Sequence, residues 1–184
     1  MKKTLKQYWI LLVTVPVILI VDQVTKAIVR ANIPFGSVWM PWEWLRPVLK
    51  FVYWENTGAA FGLFQDGGLI FGIMAVLVAI FIVVYYPKVP QHETLTRIAL
   101  SMQMAGALGN RIDRIVFGPV TDFISVSTFA VFNIADSSIT VGTALLILSL
   151  WIEERKEHKA LAAQSDADSE SESVQNPESQ DNTL

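Results

Sequence analysis

Residues 69–86 read LIFGIMAVLVAIFIVVYY, an apolar run that contains no charged side chain. A helix crosses the hydrocarbon core of a bilayer with about 20 mostly apolar residues, so this run predicts a membrane protein. Three further apolar stretches lie at Trp9–Val21, Ile98–Leu108 and Val131–Ile152, and the first of them can be extended to Val29. Together the four stretches predict an all-α membrane protein with four transmembrane helices.

The first stretch has a second interpretation, because Lys2, Lys3 and Lys6 before an apolar core are typical of a secretory signal peptide. No small-residue cleavage site follows, however, and the core continues into Asp22 and Lys26, so we predict a retained helix. With the N-terminus inside, more Lys and Arg flank the inner ends of the four spans than the outer ends, as the positive-inside rule requires. Both termini are therefore predicted to be cytoplasmic.

Residues 31–66 form a polar insertion between the first two predicted spans. Several Pro and Gly residues interrupt it, and the alternation within Leu49–Trp54 is typical of a short strand. We predict a small strand-containing extracytoplasmic subdomain. Four tryptophans occur in this segment, and they predict either a surface at the headgroup level of the membrane or the aromatic core of a strand pair. They are Trp39, Trp42, Trp44 and Trp54.

The charge of the chain is unevenly distributed. The overall formal charge is −3, but residues 160–184 contain acids and no Lys or Arg, so the rest of the chain is slightly basic. We predict a membrane domain at 1–160 and a disordered acidic tail at 161–184. No basic stripe indicates nucleic-acid binding. Cysteine is absent and only two histidines occur, which disfavours disulfides, thiolate or His-based metal sites and a Ser-His-Asp triad.

Ionisable and amide side chains near the predicted spans are costly in a membrane and are kept for a partner or a function. Asp22 and Lys26 are four residues apart, so a helix places them on one face. The structural interpretation is an ion pair at the helix end, with the Lys26 side chain extending outward to the membrane surface. Asn110, Asp113 and Arg114 also share one helical face, and we predict that Asp113 pairs with Arg114.

A second set of polar residues contains two acids with no adjacent Lys or Arg. Asp122 follows a Gly-Pro turn, and Asp136 lies at the start of the fourth span, one turn after Asn133. A helix-to-helix hairpin of this length can bring the two carboxylates together. Two close carboxylates tend to share one proton, which is the chemistry of an aspartic protease. The alternative is that Asp136 only caps the fourth helix.

Five short motifs occur in order, and with them the chain resembles bacterial lipoprotein signal peptidase, also called signal peptidase II. The motifs are DQVTK at 22–26, ENTGAAFG at 55–62, AGALGNRIDR at 105–114, VTDFI at 120–124 and FNIADSSI at 132–139. The resemblance implies a four-helix aspartyl endopeptidase of the bacterial inner membrane. Its activity would be removal of the signal peptide from prolipoproteins, by cleavage before a diacylglyceryl-modified Cys.

The resemblance also implies roles for individual residues. Asp122 and Asp136 would be the catalytic pair, near the outer face of the membrane. Seven residues would bind substrate or support the site, namely Asp22, Lys26, Asn56, Asn110, Asp113, Arg114 and Asn133. The expected partners are a lipid-modified prolipoprotein and membrane lipid, with no metal or other cofactor, and a monomer suffices for this chemistry.

Two other classes remain open from the residues themselves. A Ser–Lys membrane peptidase would use Lys26 as its base, although an ion-paired Lys is a poor base. A small transporter would also place Asp, Asn and Arg in its helices. Transporters usually contain internal repeats, and none is visible in this sequence.

Overall fold

The computed structural model describes residues 2–58, 67–127 and 129–175. Within these ranges the helices are α1 (Lys2–Asn32), α2 (Gly68–Tyr85), α3 (Thr94–Val116) and α4 (Ile134–Gln175). The strands are β1 (Val38–Trp39), β2 (Leu49–Asn56) and β3 (Val120–Val126), and short 3-10 turns occur at Glu43–Leu45 and Tyr86–Lys88. Two compact units are formed by residues 1–146 and 147–184, and the described part of the second is the continuation of α4.

Three of the described helices are long and apolar enough to cross a membrane: Lys6–Asn32, Gly68–Lys88 and Ile134–Lys159. The predicted third stretch, Ile98–Leu108, lies inside α3, which does not reach the same apolarity. The physical reason is that α3 carries charged residues near both ends, and the stretch between them contains polar and small side chains such as Ser101 and Gln103. The described part of the protein is therefore mostly helical with three apolar span candidates, and the third predicted span does not qualify on composition.

Helix α3 packs against both α1 and α2. Leu100 of α3 belongs to one buried apolar cluster with Leu11 and Val15 of α1 and Ile82 of α2. Its small residues also allow a close approach to α4. A Cβ added at Gly106 would lie only 2.6 Å from the Ser138 hydroxyl oxygen, so any larger residue would force the two helices apart.

An antiparallel sheet with strand order β1-β2-β3 lies beside the helices. From the sequence we predicted strands only within residues 31–66, but β3 lies in the connection between α3 and α4. The predicted helix-to-helix hairpin around Asp122 is therefore wrong, because Asp122 is on this strand. Gly118 has φ +92°, a conformation that favours glycine, and it reverses the chain between α3 and β3. In the β2–β3 register Trp54 is opposite Asp122 and Asn56 is opposite Val120.

All four tryptophans of the inserted segment are at least half exposed, and Trp44 reaches 78%. Trp54 stacks on Phe35, and Trp39 contacts the ring of Phe51, so the aromatic residues form contacts along the surface of the sheet. This exposure disagrees with a buried aromatic core. Residues 59–66 of the predicted subdomain lie outside the described residues.

Helix α4 continues to Gln175, into the segment predicted to be a disordered acidic tail. Residues 160–164, ALAAQ, are strong helix formers, and they extend the preceding helix by propensity alone. Residues 176–184 lie outside the described residues, and disorder there stays a prediction.

Candidate active site

Asp122 is held on β3 with its carboxylate turned into the protein. Its side chain is almost completely buried, and each oxygen accepts one amide hydrogen bond. The side-chain amide of Asn56, on the neighbouring strand, donates to Oδ2 at 3.0 Å. The side-chain amide of Asn133 donates to Oδ1 at 2.7 Å. The sheet and the start of α4 therefore fix this carboxylate from two sides.

Asp136 occupies the first turn of α4 and forms a reciprocal cap with Asn133. The backbone N–H of Asn133 donates to Asp136 Oδ2 at 3.2 Å, and the backbone N–H of Asp136 donates to Asn133 Oδ1 at 2.9 Å. The amide of Asn110 on α3 donates to Asp136 Oδ1 at 2.7 Å. Asp136 thus takes part in capping α4, as the first-turn partner of Asn133, and its carboxylate also binds Asn110, so capping is not its only contact.

Both carboxylates line one cavity of about 660 Å³. Asn133, which is fully buried, connects the two carboxylates because it bonds to each of them. Its side-chain amide also donates to Asn110 Oδ1. Apolar side chains of α2 and α4 form much of the remaining wall, including Met74, Val78, Ile139 and Val141.

The electrostatic environment separates Asp122 from an ordinary surface acid. Burial raises the pKa of Asp122 to about 7, and the nearby negative charge of Asp136 acts in the same direction. The hydrogen bonds from Asn56 and Asn133 act against this change, because each stabilises the ionised form. Asp122 therefore holds a proton over much of the range below neutral pH.

A buried charge cluster lies directly behind the two acids. Lys26 Nζ is 2.9 Å from Asp22 Oδ2 and 3.0 Å from Asp113 Oδ2, and all three side chains are fully buried. Lys26 also donates to Asn110 Oδ1 at 3.1 Å. Gln23, which the sequence did not indicate as a site residue, donates to both carboxylates of the cluster.

The two carboxylates of this cluster also bind backbone amides that precede the cavity acids. Asp113 Oδ2 accepts the N–H of Thr121 at 3.0 Å, one residue before Asp122. Asp22 Oδ1 accepts the N–H of Ala135 at 2.9 Å, one residue before Asp136. The charge cluster thus positions both β3 and the start of α4. The only sequence signal for Gln23 is its position inside the DQVTK motif, because its neighbours in the sequence do not distinguish it from a solvent-exposed Gln.

Two sequence expectations about partners are wrong. Asp113 forms its ion pair with Lys26 across α1 and α3, whereas Arg114 donates to the carbonyl oxygens of Asn110 and Gly58. Lys26 does not snorkel outward, because its side chain is fully buried between helices. The structure nevertheless brings all nine predicted site residues into one connected polar network.

A family model described as signal peptidase (SPase) II matches residues 14–152, which is most of the chain. The chain belongs to the signal peptidase II family. Among curated relatives, the lipoprotein signal peptidase of Staphylococcus haemolyticus is 36% identical over 151 residues, covering 79% of this chain and 94% of the relative. The lipoprotein signal peptidase of Halothermothrix orenii is also 36% identical, over 143 residues, covering 78% and 96%.

Solved structures agree with this assignment to the signal peptidase II family. A bacterial membrane enzyme determined by the in meso method superposes with a TM-score of 0.73 at 33% identity, covering 78% of this chain and 88% of the other. A second such structure gives 0.68 at 34% identity, covering 76% and 91%. The family is one of aspartic peptidases that remove signal peptides from prolipoproteins. Membership of this family contradicts the transporter and Ser–Lys peptidase alternatives. The ion pairs of Lys26 with Asp22 and Asp113 also make Lys26 a poor catalytic base.

Proposed function

We propose that Asp122 and Asp136 form the catalytic dyad with which this signal peptidase II cleaves prolipoproteins. The observation that carries the proposal is that two carboxylates, the buried Asp122 and the half-buried Asp136, line one cavity and are joined through Asn133. Aspartic peptidases need two close acids of which one is ionised and one protonated. No cofactor is required for this chemistry.

The surroundings of the two acids favour Asp136 as the ionised base. Its carboxylate lies at the N-terminal end of α4, where the helix dipole and backbone N–H groups stabilise negative charge. It is also linked through Asn110 to the ammonium of Lys26. Asp122 lacks such a helix N-terminus, and burial raises its pKa to about 7, which suits a proton donor near neutral pH.

The other charged groups around the dyad come from two helices. From α1 these are Asp22, Lys26 and Arg30, and from α3 they are Arg111, Asp113 and Arg114. Lys26 offsets the negative charges of Asp22 and Asp113. Arg30 donates a hydrogen bond to the hydroxyl of Thr121, the residue before Asp122. Of the three Arg side chains, Arg114 interacts electrostatically with both dyad carboxylates and so stabilises negative charge on the dyad.

The reaction follows from these protonation states. Asp136 takes a proton from a water molecule, and the water oxygen attacks the scissile carbonyl carbon while Asp122 gives its proton to the carbonyl oxygen. In the resulting diol Asp122 takes back a hydroxyl proton, and Asp136 gives its proton to the leaving nitrogen. The C–N bond then breaks, which yields a carboxylic acid on the signal peptide and a free amine on the following residue.

The shape and polarity of the cavity fit a peptide that carries lipid. Its apolar wall suits the signal peptide and the acyl chains of a diacylglyceryl-modified Cys, which would follow the scissile bond. Arg114 reaches the cavity and donates to the carbonyl oxygen of Gly58, so it is available to position peptide carbonyls beside the dyad. Membrane lipid is the expected surrounding, and a monomer holds all of these residues.

The topology that accompanies this function has four spans. Helix α3 covers Thr94–Val116. At a rise of about 1.5 Å per residue this helix is about 34 Å long, which matches a hydrocarbon core of about 30 Å. Its buried Asp113 pairs with Lys26 and its buried Arg97 donates to the carbonyl of Val89, so both charges are compensated within the bundle. Four spans leave both termini cytoplasmic in the bacterial inner membrane and the dyad near the outer face.

The test replaces Asp122 and Asp136 separately by Asn, with Glu43→Gln as the matched control. Glu43 is an exposed acid paired with Arg46, far from the cavity in sequence, and its change should leave cleavage unaltered. Each variant is reconstituted in lipid and given a diacylglyceryl-modified prolipoprotein. We expect each Asp→Asn change to lower kcat by at least about 100-fold, with substrate binding and folding retained. Cleavage retained in either variant would remove that carboxylate from the mechanism.

A further inference from the structure

Arg111 of α3 is the one described side chain with a buried nitrogen or oxygen that has no hydrogen-bond partner, and this atom is its Nε. The guanidinium lies against Gly72 of α2, where a Cβ would be 2.8 Å from Arg111 Cζ and still closer to Nη1. The absence of a side chain at Gly72 therefore provides the space that the guanidinium occupies. Arg111 as a whole is half-buried, and an unpaired Nε–H in such a place is costly because burial removes its hydration.

No acid of the described residues compensates this charge. The described carboxylates near α3 are engaged elsewhere, two of them on Lys26 and the two dyad acids on amide groups. Helix α2 contains no charged residue. Arg114, one turn further along α3, places its own guanidinium over Phe71, the neighbour of Gly72. Two cationic groups thus face the same turn of α2, and their mutual repulsion adds to the need for an anion.

The depth of this turn identifies the anion that is available. Gly72 lies in the second turn of α2, which begins at Gly68. At a rise of about 1.5 Å per residue, Gly72 is about 6 Å along the axis from the start of the helix. In the proposed topology this end of α2 is at the outer face, at the boundary between headgroups and hydrocarbon. The abundant anion at that depth is the phosphate of a phospholipid, and a planar guanidinium binds phosphate in bidentate fashion.

We propose that the Arg111 guanidinium, seated against Gly72, forms a binding site for the phosphate group of an outer-leaflet phospholipid, separate from the catalytic dyad. The lipid supplies the missing partner of Nε and neutralises the guanidinium. Its acyl chains lie along the apolar surface of α2, which exposes Ile73, Met74 and Leu77. The site rests on the proposed topology but not on the proposed catalytic chemistry.

The experiment measures lipid binding by the full chain in a maltoside detergent, which contains no phosphate, by native mass spectrometry. The probes are phosphatidylglycerol, diacylglycerol with the same acyl chains, and inorganic phosphate. We expect the wild type to bind phosphatidylglycerol at least about tenfold more tightly than diacylglycerol, a factor equivalent to about 1.4 kcal/mol. Arg111→Gln should abolish this preference, whereas Arg46→Gln, at an exposed and ion-paired Arg, should retain it.

A second variant separates a built site from general attraction by charge. Gly72→Ala keeps every charge but fills the space of the guanidinium, so it should also abolish the preference. Circular dichroism and thermal unfolding identify any variant that has lost its fold. The proposal is overturned if folded Arg111→Gln or Gly72→Ala binds phosphatidylglycerol as the wild type does, if diacylglycerol binds equally well, or if inorganic phosphate alone binds as tightly as the lipid.

Discussion

Replacing Asn56 by Ala should move the alkaline limit of activity to higher pH. In the wild type Asp122 loses its proton as pH rises through its pKa of about 7, so cleavage should fall above that value. Asn56 donates to Asp122 Oδ2 at 3.0 Å and stabilises the ionised carboxylate. Without this donor the ionised form is less stable and the pKa of Asp122 rises further. The proton that the proposed dyad needs is then kept to higher pH.

The size of the shift follows from the hydrogen bond that is lost. A hydrogen bond to a charged group contributes about 1.5–3 kcal/mol, and one pKa unit corresponds to about 1.4 kcal/mol. A shift of about one to two units is therefore the upper range. Asn56 is only half-buried, and water can replace part of the lost donor, so we expect a shift of about one unit.

The assay is the pH dependence of kcat/KM for a lipid-modified prolipoprotein, with the enzyme reconstituted in liposomes. Glu55→Gln is the matched control, because Glu55 is the preceding residue of β2 but is exposed and accepts its hydrogen bond from the hydroxyl of Tyr53 at 2.7 Å. Asn56 also accepts the N–H of Gly58, so it supports a turn. A uniform loss of activity at every pH, with the alkaline limit unchanged, would refute the electrostatic role of Asn56. Its role would then be limited to supporting the turn at Gly58.

Two further predictions concern stability. Lys26→Met leaves the carboxylates of Asp22 and Asp113 buried without a cation and should destabilise the protein by about 3–5 kcal/mol. An unchanged midpoint of unfolding in detergent would argue against a charged cluster. Gly106→Ala should cost about 1–3 kcal/mol through overpacking between α3 and α4, whereas Gly68→Ala, whose Cβ meets nothing within 4 Å, should be neutral. Equal thermal stability of the two Ala variants would contradict the close helix approach.

The sequence is most informative where one segment decides its own structure. The charge-free run at 69–86 predicted a helix, and α2 occupies Gly68–Tyr85. The helix cap at Asp136 was also visible locally, because Asn133 precedes it by one helical turn, the spacing of a reciprocal cap. The five motifs pointed to the nine predicted site residues through the resemblance to a known family, although the sequence alone could not show which of these residues touch.

The incorrect predictions share one cause, which is that the residues that interact come from segments far apart in the sequence. Strand β3 pairs with β2, although α2 and α3 lie between the two strands in the chain, and no local signal distinguishes such a strand from a connector. Asp113 and Arg114 are adjacent in sequence, but neighbouring positions on a helix point in different directions, so Asp113 faces Lys26 on α1. The modest apolarity of α3 has the same origin, because its polar side chains face other parts of the bundle.

The backbone amides bound by Asp22 and Asp113 have a consequence for how the enzyme is made. Asp22 is contributed by the first helix to be synthesised and accepts the amide of Ala135 at the start of the last, while Asp113 accepts the amide of Thr121 on the strand between them. The bond between Asp22 and Ala135 can form only after the start of the final helix has been synthesised. The proposed dyad therefore acquires its final geometry only when the first and last helices are both present, so a chain truncated before α4 is expected to have no peptidase activity.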